Sequence, residues 1–432
     1  MPLQSVLAEN VRPTEVLAWA MYDFANSGYT TVVITAVFNA YFVAVIAGNA
    51  PWATFAWTAA LSVSYACILL TAPVLGAYAD LRAAKKRLLL LTTAGCVTGT
   101  ALLALTGPQT LALAIGLLIF SNFCFGSGEN IVAAFLLELA RGDALGRVSG
   151  WGWCLGYLGG LLSLALCLAY VTWAQARGDS SQQFVPVTML ITAAVFLVAS
   201  LPTFLVLRER AKPLLSEPEG SMVRAAFARL ADTLRDAANY RDLMRFLVCI
   251  VFYQAGIQTV IALAAIYAEQ ALGFSTKDTI ALILLVNVTA AVGAFVFGNI
   301  QDRLGHLRTI ALTLVLWTGT TLLAWAASGP GLFWVAANFA GLCLGSSQSA
   351  GRALVAYLSP PDRHAEFLGL WGLAVKLSSI LGPITYGAIT WASRGNHRLA
   401  LLATGGFFLV GLAILAGIDV ARGRRAAIGE VT

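Results

Sequence analysis

The eleven residues Gly298-Asn299-Ile300-Gln301-Asp302-Arg303-Leu304-Gly305-His306-Leu307-Arg308 form a charged turn between two long apolar runs. One acid and two arginines keep this turn out of hydrocarbon. A second charged turn, Gly76-Ala77-Tyr78-Ala79-Asp80-Leu81-Arg82-Ala83-Ala84-Lys85-Lys86-Arg87, begins 222 positions earlier, counting Gly76 to Gly298. Each follows the second apolar segment of its half-chain and precedes the third. A repeat of about half the chain length is a common building plan for membrane carriers.

Composition sets the class. Hydrophobic residues make up 59% of the 432 residues and charged residues 11%, with a mean hydropathy of +0.79. Soluble domains carry about 25% charge, so the chain reads as an integral membrane protein. The net charge of +6 would suggest nucleic acid if it were clustered, but the basic residues fall in alternate loops. Nucleic acid is therefore not an expected partner; membrane lipid is. The seven cysteines all lie in apolar runs and read as small packing residues, and the three histidines (His306, His364 and His397) read as loop residues. No cofactor or metal site is expected. Nothing near the first residues resembles a cleaved leader.

A spanning helix needs roughly 20 mostly apolar residues. Twelve such runs can be drawn, at 16–46, 52–78, 88–106, 110–138, 146–172, 184–207, 243–269, 278–300, 309–327, 331–357, 366–391 and 398–420. The even count puts both termini on one side. Loops on that side, with the tails, hold 22 of the 27 basic residues, which makes it the cytoplasmic side. The domains expected are a six-helix bundle over 1–207, a cytoplasmic linker over 208–242, and a second six-helix bundle over 243–432. In the linker, Val223, Phe227, Leu230 and Leu234 recur at helical spacing opposite charged residues. That pattern fits a short amphipathic helix on the membrane surface or a plain hinge.

A charge at the bilayer centre costs roughly 2.5–3.5 kcal/mol on insertion scales, so intramembrane polar residues mark candidate sites. Asp23 and Asn26 lie in the first span, with Asp23 about 12 Å from the cytoplasmic end. Glu129 and Asn130 lie about 13 Å deep in the fourth, and Lys376 about 15 Å deep in the eleventh. Gln348 in the tenth span is at a similar level, with Arg352 one turn nearer the cytoplasm. One shared polar layer for solute or proton coupling would use Asp23, Asn26, Glu129, Asn130, Gln348 and Lys376. A set of static ion pairs locking helices together is the other reading. Arg352 and Glu138 read as gate or interface residues, and the charged turns supply Asp80, Arg82, Asp302, Arg303 and Arg308 as gating candidates. Glu129 can be a proton carrier or half of a fixed pair with Lys376, not both. No phosphate-cradling Gly-x-x-x-x-Gly-Lys-Ser/Thr loop, zinc-protease motif or nucleophile elbow is present, so neither a primary pump nor an enzyme is expected.

The spacing Gly-x-x-x-Asp-Arg-x-Gly-x-x-Arg from Gly298 to Arg308 resembles the signature loop of the major facilitator superfamily. The earlier copy departs from it at Leu81, Arg82 and Ala83. Trp19-Ala20-Met21-Tyr22-Asp23-Phe24-Ala25-Asn26-Ser27, Gly146-Arg147-Val148-Ser149-Gly150-Trp151-Gly152-Trp153 and Gly156-Tyr157-Leu158-Gly159-Gly160 resemble one branch, the autophagy-related vacuolar effluxer-like family. Gln348 with Arg352, Ala365-Glu366-Phe367-Leu368-Gly369-Leu370, and Lys376 with Gly382-Pro383 fit as well. Two departures weaken any carry-over of coupling. Tyr253-Gln254-Ala255-Gly256 lacks an acid before its glycine, and Leu137-Glu138 replaces a Pro-acid pair. The resemblance implies export of amino acids from a storage compartment in fungi, and a solute carrier of the plasma membrane for a short-looped bacterial chain.

The expectation is therefore an all-α integral membrane protein of the major facilitator superfamily fold, with twelve transmembrane helices in two six-helix bundles. It is expected to sit as a monomer in a bacterial inner membrane with both termini cytoplasmic. It would move a small polar solute by alternating access, amino acids or small peptides favoured and protons the candidate coupling ion. Efflux of amphipathic compounds and a non-transporting receptor or scaffold are the alternatives.

Overall fold

The computed structural model describes residues 7–140, 145–210, 223–224, 227–228, 231–232, 234–235, 239–360 and 364–428. Within its helices, the side chains of Asp80, Asp302, Arg303, Arg352 and Glu366 lie outside the described set. The long helices are α1 (Pro13–Ile46), α2 (Ala53–Arg82), α3 (Lys85–Leu102), α4 (Leu111–Ala134), α5 (Leu145–Ala176) and α6 (Ser181–Val206). They continue with α7 (Arg241–Leu272), α8 (Thr276–Leu304), α9 (His306–Ala326), α10 (Pro330–Leu358), α11 (His364–Ala392) and α12 (His397–Leu415). A short α13 (Val420–Ala427) follows. Among the described residues, eleven of these helices are long and apolar enough to cross a membrane. The other long helix, α10, has 29 residues, or about 43 Å at 1.5 Å each, which is also enough.

The backbone of α1 is not uniform. Pro13–Gly28 is α-helical, Tyr29–Ala36 and Phe42–Ile46 are π-helical, and Phe38–Tyr41 returns to α. The β-branched run Thr30-Thr31-Val32-Val33-Ile34-Thr35 crowds adjacent turns. Ser27 Oγ donates to Asp23 O at 2.7 Å and Thr31 Oγ1 to Ser27 O at 2.9 Å, so hydroxyls compete for helical carbonyls. Apolar periodicity registers only a span here and is silent on the wider turns.

The two charged turns are tighter than the sequence suggests. Helix α2 runs to Arg82 and α8 to Leu304, so most of each motif is the last turn of a helix. Reversal is left to Ala83 at φ 47° and Gly305 at φ 81°, positions related by the same 222-residue offset. Glycine takes this left-handed backbone without steric cost, whereas alanine pays for its Cβ.

The chain divides into two compact units, one of Met1–Asn49 with Val63–Phe227 and the other of Ala50–Ser62 with Ala228–Thr432. The start of α2 thus groups with the second unit, unlike the expected boundary. Its packing explains this. Phe55 stacks on Trp391 with ring centroids 5.0 Å apart, and Ser62 Oγ donates to Ile380 O at 3.4 Å. Gly387 lets the Phe55 and Thr58 segment approach, because a Cβ there would run into Thr58 Oγ1.

Inside the first unit, α1 and α5 touch backbone to backbone. A Cβ on Gly159 would collide with the Phe24 carbonyl. In the second unit, Gly382 holds α11 against the Ala255 carbonyl of α7, and Gly293 holds α8 against Leu342 of α10. Lipid gives helices no hydrophobic reason to associate, so close packing at small residues supplies the attraction.

Charged residues staple one end of each unit. Glu209 accepts the backbone N–H groups of Lys85 and Lys86 at 2.8 and 3.1 Å, capping the N-terminus of α3. Arg210 pairs with Glu15 at 2.9 Å, and its N–H donates to Glu138 at 2.6 Å. Glu138 also pairs with Lys85 at 3.0 Å. Residues 208–210 thus bond within the first unit, and Glu138, read in sequence as a gate or interface residue, is tied there to Lys85 and Arg210. In the second unit Arg422 grips Asp242 through two bonds of 2.7 Å, docking α13 against the start of α7. The described linker residues between 223 and 235 are helical, with Val223, Phe227 and Leu234 exposed, while Leu230 falls outside the described residues.

Three substitutions test this packing through the unfolding midpoint in detergent. Ala83→Gly removes about 1–2 kcal/mol of left-handed strain and restores about 0.5–1 kcal/mol of chain entropy cost, for a net gain of about 0.5–1 kcal/mol. Gly159→Ala drives a methyl into the backbone of α1 and should lose about 2 kcal/mol or more. Gly116→Ala, where nothing lies within 4 Å, should be neutral or mildly stabilising.

Candidate functional site

In the first unit a polar seam runs where α1 faces α3 and α4. Trp19 Nε1 donates to Val132 O at 2.8 Å, which fixes α1 against α4. One turn on, the buried Tyr22 hydroxyl lies 3.0 Å from Thr93 Oγ1 on α3. It also rests on Gly128 of α4, where a Cβ would stand 2.5 Å away. Asp23 follows Tyr22 in α1, and Glu129 follows Gly128 in α4. Two acids 106 positions apart in the sequence (Glu129 less Asp23) thus each stand one residue from the Tyr22–Gly128 contact.

Asp23 is half-buried against α5. A Cβ on Gly152 would meet Asp23 Oδ2 and the Trp19 ring, and one on Gly156 would stand 3.4 Å from Asp23 O. Gly152 and Gly156, which lie in the stretches that carry the family resemblance, therefore make the floor under this carboxylate. Asn26 is 6% exposed. Glu129 is half-buried, while the next residue, Asn130, turns about 100° round the helix and is exposed. The two do not share a direction. The regular helix α4 also ends earlier than expected, at Ala134, before the single turn Leu136–Leu139.

Several members of the seam carry no charge and were missed for that reason. Tyr29 Oη lies 2.8 Å from Ser121 Oγ, and its ring stacks on Phe125 at 5.0 Å. Asn122 is fully buried and donates to Ser64 Oγ at 3.0 Å, while its Oδ1 is buried without a hydrogen bond. Its position seven residues before Glu129, on the same helical face, was the available signal.

The second unit has a different chemistry. Gln254 of α7 is fully buried and donates to Gln348 Oε1 of α10 at 3.1 Å. Gln254 Oε1 and the hydroxyl of its neighbour Tyr253 are buried without hydrogen bonds. Gly351 makes space for that hydroxyl, since a Cβ there would meet it. Gln348 therefore has its partner on the helix that lacks the family's acid. Lys376 is half-buried on α11. Arg82 and Arg308 are exposed at the ends of α2 and α9, and the side chains of Asp80, Asp302, Arg303 and Arg352 are outside the described set.

Two further polar residues were not singled out. Glu269, near the C-terminal end of α7, faces Thr279 of α8 with its Oε1 buried. All three histidines, expected in loops, stand as first residues of helices: His306 of α9, His364 of α11 and His397 of α12. His397 is half-buried, with Nδ1 3.1 Å from Tyr386 Oη. Among the described residues, no three His, Cys, Asp or Glu side chains assemble as a metal site.

Known proteins place this geometry. A family profile described as "Vacuole effluxer Atg22 like" matches residues 43–428. The chain is 26% identical over 404 residues to the "Uncharacterized MFS-type transporter YxiO" of Bacillus subtilis (strain 168), covering 92% of this chain and 93% of that one. It is 24% identical over 383 residues to autophagy-related protein 22 of Saccharomyces cerevisiae, covering 77% and 71%. Its fold is similar to the crystal structure of a bacterial homolog of the human lysosomal transporter Spinster, with a TM-score of 0.70, 12% identity and 98% and 99% coverage. It is equally similar to a D-xylose-proton symporter, with a TM-score of 0.70, 15% identity and 95% and 98% coverage. The protein is an integral membrane secondary transporter of the major facilitator superfamily fold and not an enzyme. A profile match over most of its length assigns it to a branch of that superfamily: the chain belongs to the vacuole effluxer Atg22-like family.

Proposed function

We propose that the protein carries a small polar solute, amino acids or small peptides first, by alternating access, and that Glu129 exchanges the coupling proton. The observation that supports this most is the contact of the Tyr22 hydroxyl with Gly128, which puts Asp23 and Glu129 each one residue from the same helix crossing. Two half-buried acids in a helical core are costly unless they do something, and solute amines and protons are what carboxylates recognise. Asp23, floored by Gly152 and Gly156, takes the solute ammonium. Asn122 Oδ1 is a buried acceptor that a further donor can satisfy. In the second unit, the amides of Gln254 and Gln348 offer neutral hydrogen-bonding groups suited to a polar solute.

Glu129 is assigned the proton because Asp23, floored by Gly152 and Gly156, is assigned the solute. The distribution of basic residues favours cytoplasmic termini in a bacterial inner membrane. The efflux direction in the family's name belongs to relatives, and export is the first direction to assay. A receptor or scaffold would have no need of these acids.

Reconstitution into vesicles tests the reading. Wild type should accumulate a labelled amino acid or dipeptide in response to a proton gradient. Glu129→Gln should abolish that accumulation and keep solute exchange with no gradient imposed. Asp23→Asn should slow both processes about tenfold or more, the loss expected for a hydrogen bond to a charged group. Accumulation by Glu129→Gln would make that residue structural.

A further inference from the structure

At the start of α7, Arg241, Met244, Arg245 and Val248 follow the 0, 3, 4, 7 spacing of a single helical face. Together with Ile414 of α12 they line an open groove of about 370 Å³. The face is graded along its length. Both guanidiniums sit in the first turns of the helix, where a spanning segment meets headgroups, and the deeper positions are apolar. Val248 is 44% exposed, so the groove opens outward from the helix pair rather than into a packed core.

One of the two arginines is held for this arrangement. Arg245 donates one N–H to Gly417 O at 2.8 Å, just beyond the end of α12, which orients the guanidinium across the groove. Arg241 is exposed and has no ion pair or hydrogen bond among the described residues. The described acids nearby are hydrogen-bonded to other groups, with Asp242 also within electrostatic range of Arg245. Asp242 is gripped by Arg422 through two bonds of 2.7 Å and also accepts the Asp419 N–H. Asp419 itself caps Arg422 N at 3.0 Å. The adjoining helix α13 adds Arg424 and Arg425, with Arg425 exposed. A cationic rim above an apolar slot, with neighbouring carboxylates already satisfied, is complementary to one kind of molecule.

We propose that this groove between α7 and α12 binds an anionic phospholipid from the leaflet that the termini face. The lipid phosphate bridges Arg241 and Arg245, and one acyl chain lies along Met244, Val248 and Ile414. Two arginines side by side can share a phosphate, and their planar guanidiniums favour it over a neutral headgroup. A bound lipid would brace α12 and the docked α13 against α7 in every transport state.

Native mass spectrometry of the full-length protein in detergent tests this, with phosphatidylglycerol, phosphatidylcholine and glycerol 3-phosphate as probes. Wild type should retain phosphatidylglycerol in preference to phosphatidylcholine, and glycerol 3-phosphate alone should not compete. Each arginine should contribute about fivefold, so Arg241→Gln weakens retention by about that factor and the double variant with Arg245→Gln by about twentyfold or more. Arg241→Gln removes no internal bond, so its folding is not at issue. Val248→Trp, which fills the apolar part and leaves both charges, should also weaken retention. Equal retention of the two lipids, unchanged retention in Arg241→Gln or in Val248→Trp, or full competition by glycerol 3-phosphate would each overturn the lipid site.

Discussion

Hydrocarbon offers a backbone N–H or C=O nothing to bond, so every crossing segment must satisfy itself as a helix. Everything else in the structure follows from that constraint. Helices so formed gain no hydrophobic benefit from touching each other, and they associate where small residues let backbones meet. Gly159 against Phe24, Gly382 against Ala255 and Gly293 against Leu342 are those places. Polar side chains that enter the bundle must likewise find partners inside it. That is why Tyr22, Tyr29 and Asn122 each end on a hydroxyl of a neighbouring helix.

The fold was legible because its signal is compositional. Long apolar runs, charged turns separated by half the chain, and the helix 1 and helix 5 stretches all survive as one-dimensional patterns. Helix ends were less legible. The sequence suggests that charge ends a helix, yet α2 and α8 carry their charged motifs into the last turn and reverse only at Ala83 and Gly305. At residue 83 the left-handed turn is kept although alanine stands where glycine would be at ease. The wide turns of α1 left no trace in hydropathy, because they arise from side-chain crowding and hydroxyl competition.

The site was half legible for a related reason. Charge in an apolar run is conspicuous, so Asp23, Glu129 and Lys376 could be found. Neutral polar residues in helices are common, so Gln254 and Asn122 could not be separated from ordinary packing without knowing their neighbours. Glu138 shows a different limit. Its charge near a membrane face suggested a gate or an interface residue, and its partners, Lys85 and the Arg210 N–H, lie within its own bundle. Charge near the surface is cheap and often structural, whereas charge placed deeper needs a purpose.

The central claim is that the carboxyl of Glu129 changes its protonation when solute binds. Proton exchange with weakly buffered solution, followed with a pH dye as a transported amino acid or dipeptide is added to purified protein, reads this directly. The account predicts proton movement in step with solute binding in the wild type, and none in Glu129→Gln although that variant still binds solute. Equal proton movement in both proteins would contradict it.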